Sequence, residues 1–459
     1  MASAMASEQP PPPIAADENA PLAREHEGQM QHRTNLQQTI FNMINCFVGA
    51  GILTVPFGFR LAGYSACLCL AFVAGLNWYT ALLLGKSLDK AALLNPDIPS
   101  RSWTMGALAR AAFGPVGDRA IRVLFALELW FALETFLVLT GISVNQLSGI
   151  PEPPVIILAG FLGCMSLGLP MTTISSGSLL AVACMVVGLM ALMACGMGRL
   201  WDHAAGLEPL ANRHRTFEFE RTPASIGIFL YCFSGLPCLP SIRAAMQRPK
   251  EDYEKAINTS MLYAFFYYLA IGALGYEFFA NDTRRSFLRD LAPIPGEGHA
   301  KVYGYISALA AGLFALKLQA GFPLYAGPVL EAFGFGKEER LPSSQVWLAR
   351  VVFGLISVTF AIFARNQLDA VAELMGAFLT NATSIMFPVA TYWQLFRAQG
   401  DKPSKSHAFG LSALMLFGAV YCVIGTYSAF YNLWYGRSLS LGSTIEGYGP
   451  VKASLMRSN

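Results

Sequence analysis

Eleven apolar runs, each close to the thickness of a bilayer, restrict this chain more than any other feature of its sequence. They lie at about 39–62, 65–85, 121–147, 155–171, 176–197, 224–242, 258–280, 300–324, 345–364, 368–395 and 408–434. A helix needs about 20 apolar residues to cross a bilayer. In lipid, only structures that satisfy every backbone group internally can span. The expected fold is therefore an all-α polytopic membrane protein with about 11 transmembrane helices. Of the 459 residues, 54% are hydrophobic and 13% charged, against about 25% charged in a globular domain. That balance excludes a soluble enzyme on an anchor, and no run carries a nucleophile–base constellation. The formal net charge of +3 gives no reason to expect nucleic acid as a partner. The nine cysteines show no metal-ligand spacing and read as small hydrophobes, so neither a metal nor a cofactor is expected. The histidines at 26, 32, 203, 214, 299 and 407 fall outside the runs. Proton handling inside the membrane is left to carboxylates or a lysine.

Two of the runs make poor continuous helices. In Asn42–Gly63, Gly49, Ala50 and Gly51 sit together and Pro56 follows. In Phe229–Pro240, Ser234 and Gly235 are followed by Pro237 and Pro240. Glycine inside a helix costs about 1 kcal/mol relative to alanine, and proline about 3. Broken backbone at membrane depth is tolerated only when buried in protein or lining a wet cavity. One such break is equally a kink that packs small residues on a neighbour. Paired interruptions in the two halves of a chain point to a transporter's binding site. Gly49 and Ser234 are 185 residues apart, room for a five-span repeat. The two runs read as the discontinuous first and sixth helices of an inverted-repeat transporter, with repeats at about 39–197 and 224–395 and an extra span at about 408–434.

The flanks are short. Residues 1–33 hold Pro10–Pro13 and few large apolar side chains, which predicts a disordered tail. Lysine and arginine favour the side that holds the N-terminus, which predicts a cytosolic N-terminus. An odd number of spans then puts the tail 436–459 on the non-cytosolic side. The sequon at Asn281 falls in a non-cytosolic loop and is expected to be glycosylated. Those at Asn258 and Asn381 are expected to be silent.

The segment Asn42 to Pro56, N-x-x-N-x-x-V-G-A-G-I-L-x-x-P, resembles the opening of the amino acid/auxin permease family. Leu127-Glu128-Leu129 with Glu134, running to Gly141, is similar to the third span of its vacuolar branch. Ile226–Pro240, Gly275-Tyr276 with Phe278, Pro323-Leu-Tyr, and Met375-Gly-Ala with Pro388 resemble later spans in order. The likeness covers roughly residues 35–435. It implies a LeuT-like 5+5 inverted repeat and amino-acid transport driven by protons or, in some branches, by sodium. It also implies a vacuolar or other endomembrane location, with the plasma membrane as the alternative. Leu236 departs from the histidine that many vacuolar members carry after Ser-Gly. The chain is expected to work as a monomer. A sensor with a transporter's fold is the alternative from another class.

An amino acid presents a carboxylate and an ammonium, and a broken helix offers freed N–H groups to one and freed carbonyls to the other. Gly49, Ala50 and Gly51 are expected at the carboxylate. Phe233, Ser234 and Gly235 are expected at the ammonium and side chain. Asn42 and Asn45 share one face just before the first break. They hold an ion, the substrate or the other half's backbone, or else make an interhelical hydrogen bond. Ionisable residues in a membrane are functional by default. Glu128 and Glu134 lie in the third span, six residues apart and so on different faces. Lys317 lies deep in the eighth. Glu128 is expected to be the main ion-coupling group and Glu134 the alternate. Lys317 is expected to be its partner or a fixed cation. A static Glu128–Lys317 pair is the competing reading, and snorkelling is the bland one for Lys317. Glu277 and Glu373 are expected to reach water.

Overall fold

The computed structural model describes residues 33–99, 102–203, 214–280, 283, 300–335, 342–365, 368–397 and 404–446. Asn281 and all of the N-terminal tail except Arg33 lie outside the described residues. Nine described helices are long and apolar enough to cross a membrane, and Glu152–Ser166 is a shorter apolar one. Among the described residues there is no strand, only a bridge between Thr34 and Met246.

The first span begins at a capping box. Asn35 Oδ1 accepts from the Gln38 amide at 2.9 Å, and Gln38 Oε1 accepts from the Asn35 amide at 3.0 Å. The helix Leu36–Phe47 then stops. Val48 and Gly49 leave helical geometry, a 3-10 turn covers Ala50–Leu53, and a second helix covers Val55–Ala62. The sixth span is cut in the same way. Its helices Thr222–Cys232 and Leu239–Ala244 flank a turn at Leu236–Cys238.

The remaining spans are Ala66–Leu94 (second), Met105–Ser148 (third), Glu152–Ser166 (fourth), Met171–His203 (fifth) and Pro249–Phe279 (seventh). They continue with Ala300–Ala332 (eighth), Ser343–Ala364 (ninth), Leu368–Arg397 (tenth) and Lys405–Glu446 (eleventh). The third begins well before the expected residue 121. Thr104 caps it, and Gly114, with φ of 73°, kinks it just ahead of Pro115. Arg110 and Arg122 close on Asp118 beyond that kink. The eleventh runs past the expected 434. The tenth is the largest departure, because Met375–Met386 winds as a π-helix between α-helical ends.

The eighth span packs along the third and fifth, and the seventh along the first half of the first. The π segment lies against the sixth and eleventh. Thr34 accepts from the Gln247 amide at 3.0 Å and donates its own amide to the Ala245 carbonyl at 2.8 Å. These bonds tie the entry to the first span to the exit of the sixth.

Candidate substrate and ion site

A half-helix that ends inside the membrane leaves carbonyls without intrahelical partners. Two tyrosines take them here. The Tyr268 hydroxyl, from the seventh span, lies 2.9 Å from both the Phe47 and the Cys232 carbonyls, so it joins the ends of both broken helices. The Gly49 backbone amide faces the same hydroxyl. The Tyr325 hydroxyl, from the eighth span, donates to the Cys46 carbonyl at 2.6 Å. The sequence reading did not single out either tyrosine, although Tyr325 stands in the Pro323-Leu-Tyr motif.

The two breaks touch. A Cβ added at Gly51 would stand 2.7 Å from Cys232 Cα, and one at Gly235 would stand 2.6 Å from the Cys46 carbonyl oxygen. Both glycines therefore serve close approach of two backbones. Gly49 differs, because its missing Cβ points toward the Tyr325 hydroxyl at 3.1 Å and the Phe136 ring at 3.8 Å. Ala50 opens the short turn that follows. Phe233 packs edge-on to Tyr268, with centroids 5.4 Å apart, and Ser234 is buried beside it. The structure thus brings Gly49, Gly51, Phe233, Ser234 and Gly235 to one place, with Phe136, Tyr268 and Tyr325 around them.

Asn42 and Asn45 face the fifth span. Asn42 Nδ2 donates to Ser175 Oγ at 2.8 Å, and Asn45 Nδ2 donates to Ser178 Oγ at 3.2 Å. The Oδ1 atoms of both are buried without a hydrogen-bond partner. The interhelical bond is real, and it leaves an acceptor on each side chain for something else.

Glu128 and Lys317 are both 0% exposed, yet they do not pair. Lys317 Nζ has no hydrogen-bond partner and lies 5.5 Å from the centre of the Phe136 ring. Glu128 Oε2 instead accepts from the Thr383 hydroxyl of the π segment, and its Oε1 is unpartnered. The reason is the rise of the third span. Phe136 follows Glu128 by eight residues, which is about 12 Å along a helix. The expected partnership is therefore corrected, and so is the competing static pair. Lys317 does not snorkel either, since its ammonium end is buried. Glu134 is buried with neither oxygen hydrogen-bonded, on a face near Ser357 of the ninth span. Its different direction from Glu128 agrees with their spacing. Glu277 reaches water at 40% exposure and accepts from the Tyr64 hydroxyl at 2.7 Å. Glu373 does not reach water. It is only 9% exposed, and its backbone lies against Gly227 of the sixth span.

A bundle of apolar helices whose first and sixth spans unwind against each other defines a membrane transporter of the LeuT-like class. Solved structures agree on the fold. The chain superposes on MhsT, solved in complex with L-phenylalanine, with a TM-score of 0.61 at 13% identity, over 85% of this chain and 98% of that one. It superposes on a manganese transporter of Eremococcus coleocola with a TM-score of 0.58 at 14% identity, over 92% of each chain. The chain belongs to the transmembrane amino acid transporter protein family, which it matches over residues 32–431. It is similar to amino acid transporter AVT1C of Arabidopsis thaliana, 24% identical over 88% of this chain and 71% of that protein. It is also similar to AVT3C of the same plant, 23% identical over 92% and 95%.

Proposed function

We propose that the protein is a secondary active transporter that moves amino acids across an endomembrane and draws its drive from protons through Glu128. The observation that carries the proton is at Thr383. Its hydroxyl has one hydrogen and two neighbours, the Leu379 carbonyl at 3.0 Å and Glu128 Oε2. With Glu128 ionised, Thr383 has one hydrogen for two acceptors, and the Leu379 carbonyl falls back on its backbone partner. A protonated Glu128 donates to Thr383, which then donates to Leu379, and both bonds form. An ionised carboxylate buried without a cation is also costly in lipid, and this one has no ion-pair partner among the described residues. The substrate site lies between the breaks. Gly49, Ala50, Phe233 and Ser234 meet the amino acid, while Gly51 and Gly235 set the approach of the two spans. Tyr268 and Tyr325 hold the carbonyls that the ammonium would otherwise meet, so substrate entry requires at least one of them to move. The endomembrane location follows the likeness to the vacuolar branch.

Reconstituted protein tests this reading. A panel of amino acids is offered to proteoliposomes with and without a pH gradient, in sodium and in potassium. The expected result is uptake that needs the pH gradient and ignores the choice of cation. Uptake that follows sodium alone would move the coupling away from Glu128. Binding without flux would identify a sensor.

A further inference from the structure

Cys46 and Cys238 stand where the two broken spans meet, and the transport reading uses neither thiol. Cys46 lies one residue before the end of Leu36–Phe47, and Cys238 closes the turn Leu236–Cys238. Both are free and fully buried. The Cys46 thiol donates to the Gly235 carbonyl at 3.3 Å, and the Cys238 amide donates to the same carbonyl at 3.1 Å, so one oxygen holds both cysteines together. Tyr325 donates to the Cys46 carbonyl beside them. Lys317, whose Nζ makes no hydrogen bond, is within electrostatic reach of Cys46. Glu128 and Glu331 are the acidic groups that act on Cys238. A bond between these sulfurs would tie together the two elements whose separation opens the path.

We propose that Cys46 and Cys238 form a redox latch, in which a hydroperoxide oxidises the pair to a disulfide that pins the two broken spans and arrests transport. The Cys46 sulfur attacks the outer peroxide oxygen, and the O–O bond breaks. The sulfur becomes a sulfenic acid, and the thiol proton leaves with the departing alcohol, or with water when the oxidant is hydrogen peroxide. The Cys238 sulfur then attacks that sulfenic sulfur. The S–O bond breaks, the S–S bond forms, and water carries away the Cys238 proton. Two thiols lose two electrons, and the hydroperoxide gains them. Both thiols are buried, so the oxidant reaches them when the spans part during the cycle.

The arrest of transport rests on the function proposed above; the pairing of the thiols does not. The test treats the full-length protein in proteoliposomes with hydrogen peroxide, then digests it without reductant for mass spectrometry. The expected product is a linked peptide pair joining Cys46 to Cys238, lighter by two hydrogens and released by dithiothreitol. Amino-acid uptake should fall about tenfold as the link forms and return on reduction. Cys46→Ser and Cys238→Ser should each hold, under peroxide, the uptake they show without it. Absence of the linked pair while other cysteines oxidise overturns the pairing. A linked pair with unchanged uptake overturns the latch. Should the reduced protein take up no amino acid, the transport reading fails. The linked peptide and a higher unfolding temperature of the oxidised protein then still decide the pairing.

Discussion

The paired breaks in the first and sixth spans and the π segment in the tenth all abandon α-helical geometry inside the membrane, for opposite reasons. At the breaks, residue type does the work. Gly51 and Gly235 remove the side chains that would keep two backbones apart, and Pro56, Pro237 and Pro240 restart the helices at their N-terminal turns. In the π segment MGAFLTNATSIM there is one glycine and no proline. Its geometry comes from its neighbours. Gly376 lies against the Gly227 carbonyl, Asn381 donates to the Gly418 carbonyl at 2.7 Å, and Thr383 meets Glu128. Single π-turns often occur at functional sites. The breaks bring the backbones of two spans together, whereas the π segment supplies a side chain to a buried carboxyl.

The largest effect that separates the two regions is expected at Gly51. Leucine there would drive its Cβ into the Cys232 backbone, which has no far end to swing away. Gly51→Leu should abolish amino-acid uptake, and Gly49→Ala, whose one tight contact is the end of Tyr325 at 3.1 Å, should reduce it several-fold at most. Equal uptake in both variants, measured at equal protein in the membrane, would show that the breaks are ordinary kinks.

Glu128→Gln is next in size and acts on the other region. It keeps the shape of the side chain and removes the proton. The protein should still exchange labelled amino acid across the membrane, but accumulation driven by a pH gradient should disappear. Retained gradient-driven accumulation in a well-folded Glu128→Gln protein would take the carboxyl, and with it the π segment, out of the coupling.

The same contrast explains what the sequence made legible. The breaks could be placed within a residue or two because glycine and proline carry their backbone consequences with them. The depth of Lys317 and the divergence of Glu128 from Glu134 followed from helical arithmetic. The partner of Glu128 did not, because Thr383 is one hydroxyl among Thr380, Thr383 and Ser384 in an apolar run. Its meeting with the third span depends on packing between elements 255 residues apart. The burial of Glu373 was missed for the same reason. Tyr268 and Tyr325 were hidden differently: a tyrosine in a span reads as bulk until the carbonyl it caps is located.

Gly376→Ala tests whether packing alone holds the π segment. The added Cβ would fall 1.9 Å from the Gly227 carbonyl oxygen, so the tenth and sixth spans would have to separate. Overpacking of this kind costs about 1–3 kcal/mol. A thermal unfolding temperature lowered by several degrees is expected, with the ratio of gradient-driven to exchange uptake also reduced, since Thr383 moves with the segment. An unchanged unfolding temperature would mean that the close contact is dispensable.

The smallest effect is expected at Thr383, and it separates a hydroxyl's role from its bulk. Valine fills nearly the same volume but can neither donate to Glu128, as the Thr383 hydroxyl does, nor accept from it when it is protonated. Inside a helix the Leu379 carbonyl keeps its backbone partner, so the main loss falls on Glu128. A buried hydrogen bond is worth about 1 kcal/mol net, which is about fivefold in an equilibrium. Thr383→Val should therefore shift the pH dependence of gradient-driven uptake. Thr383→Ser, which keeps the hydroxyl, should restore the parent's profile even if its lost methyl group lowers stability. A structural role would instead lower expression or unfolding temperature in both variants and leave the pH profile where it was.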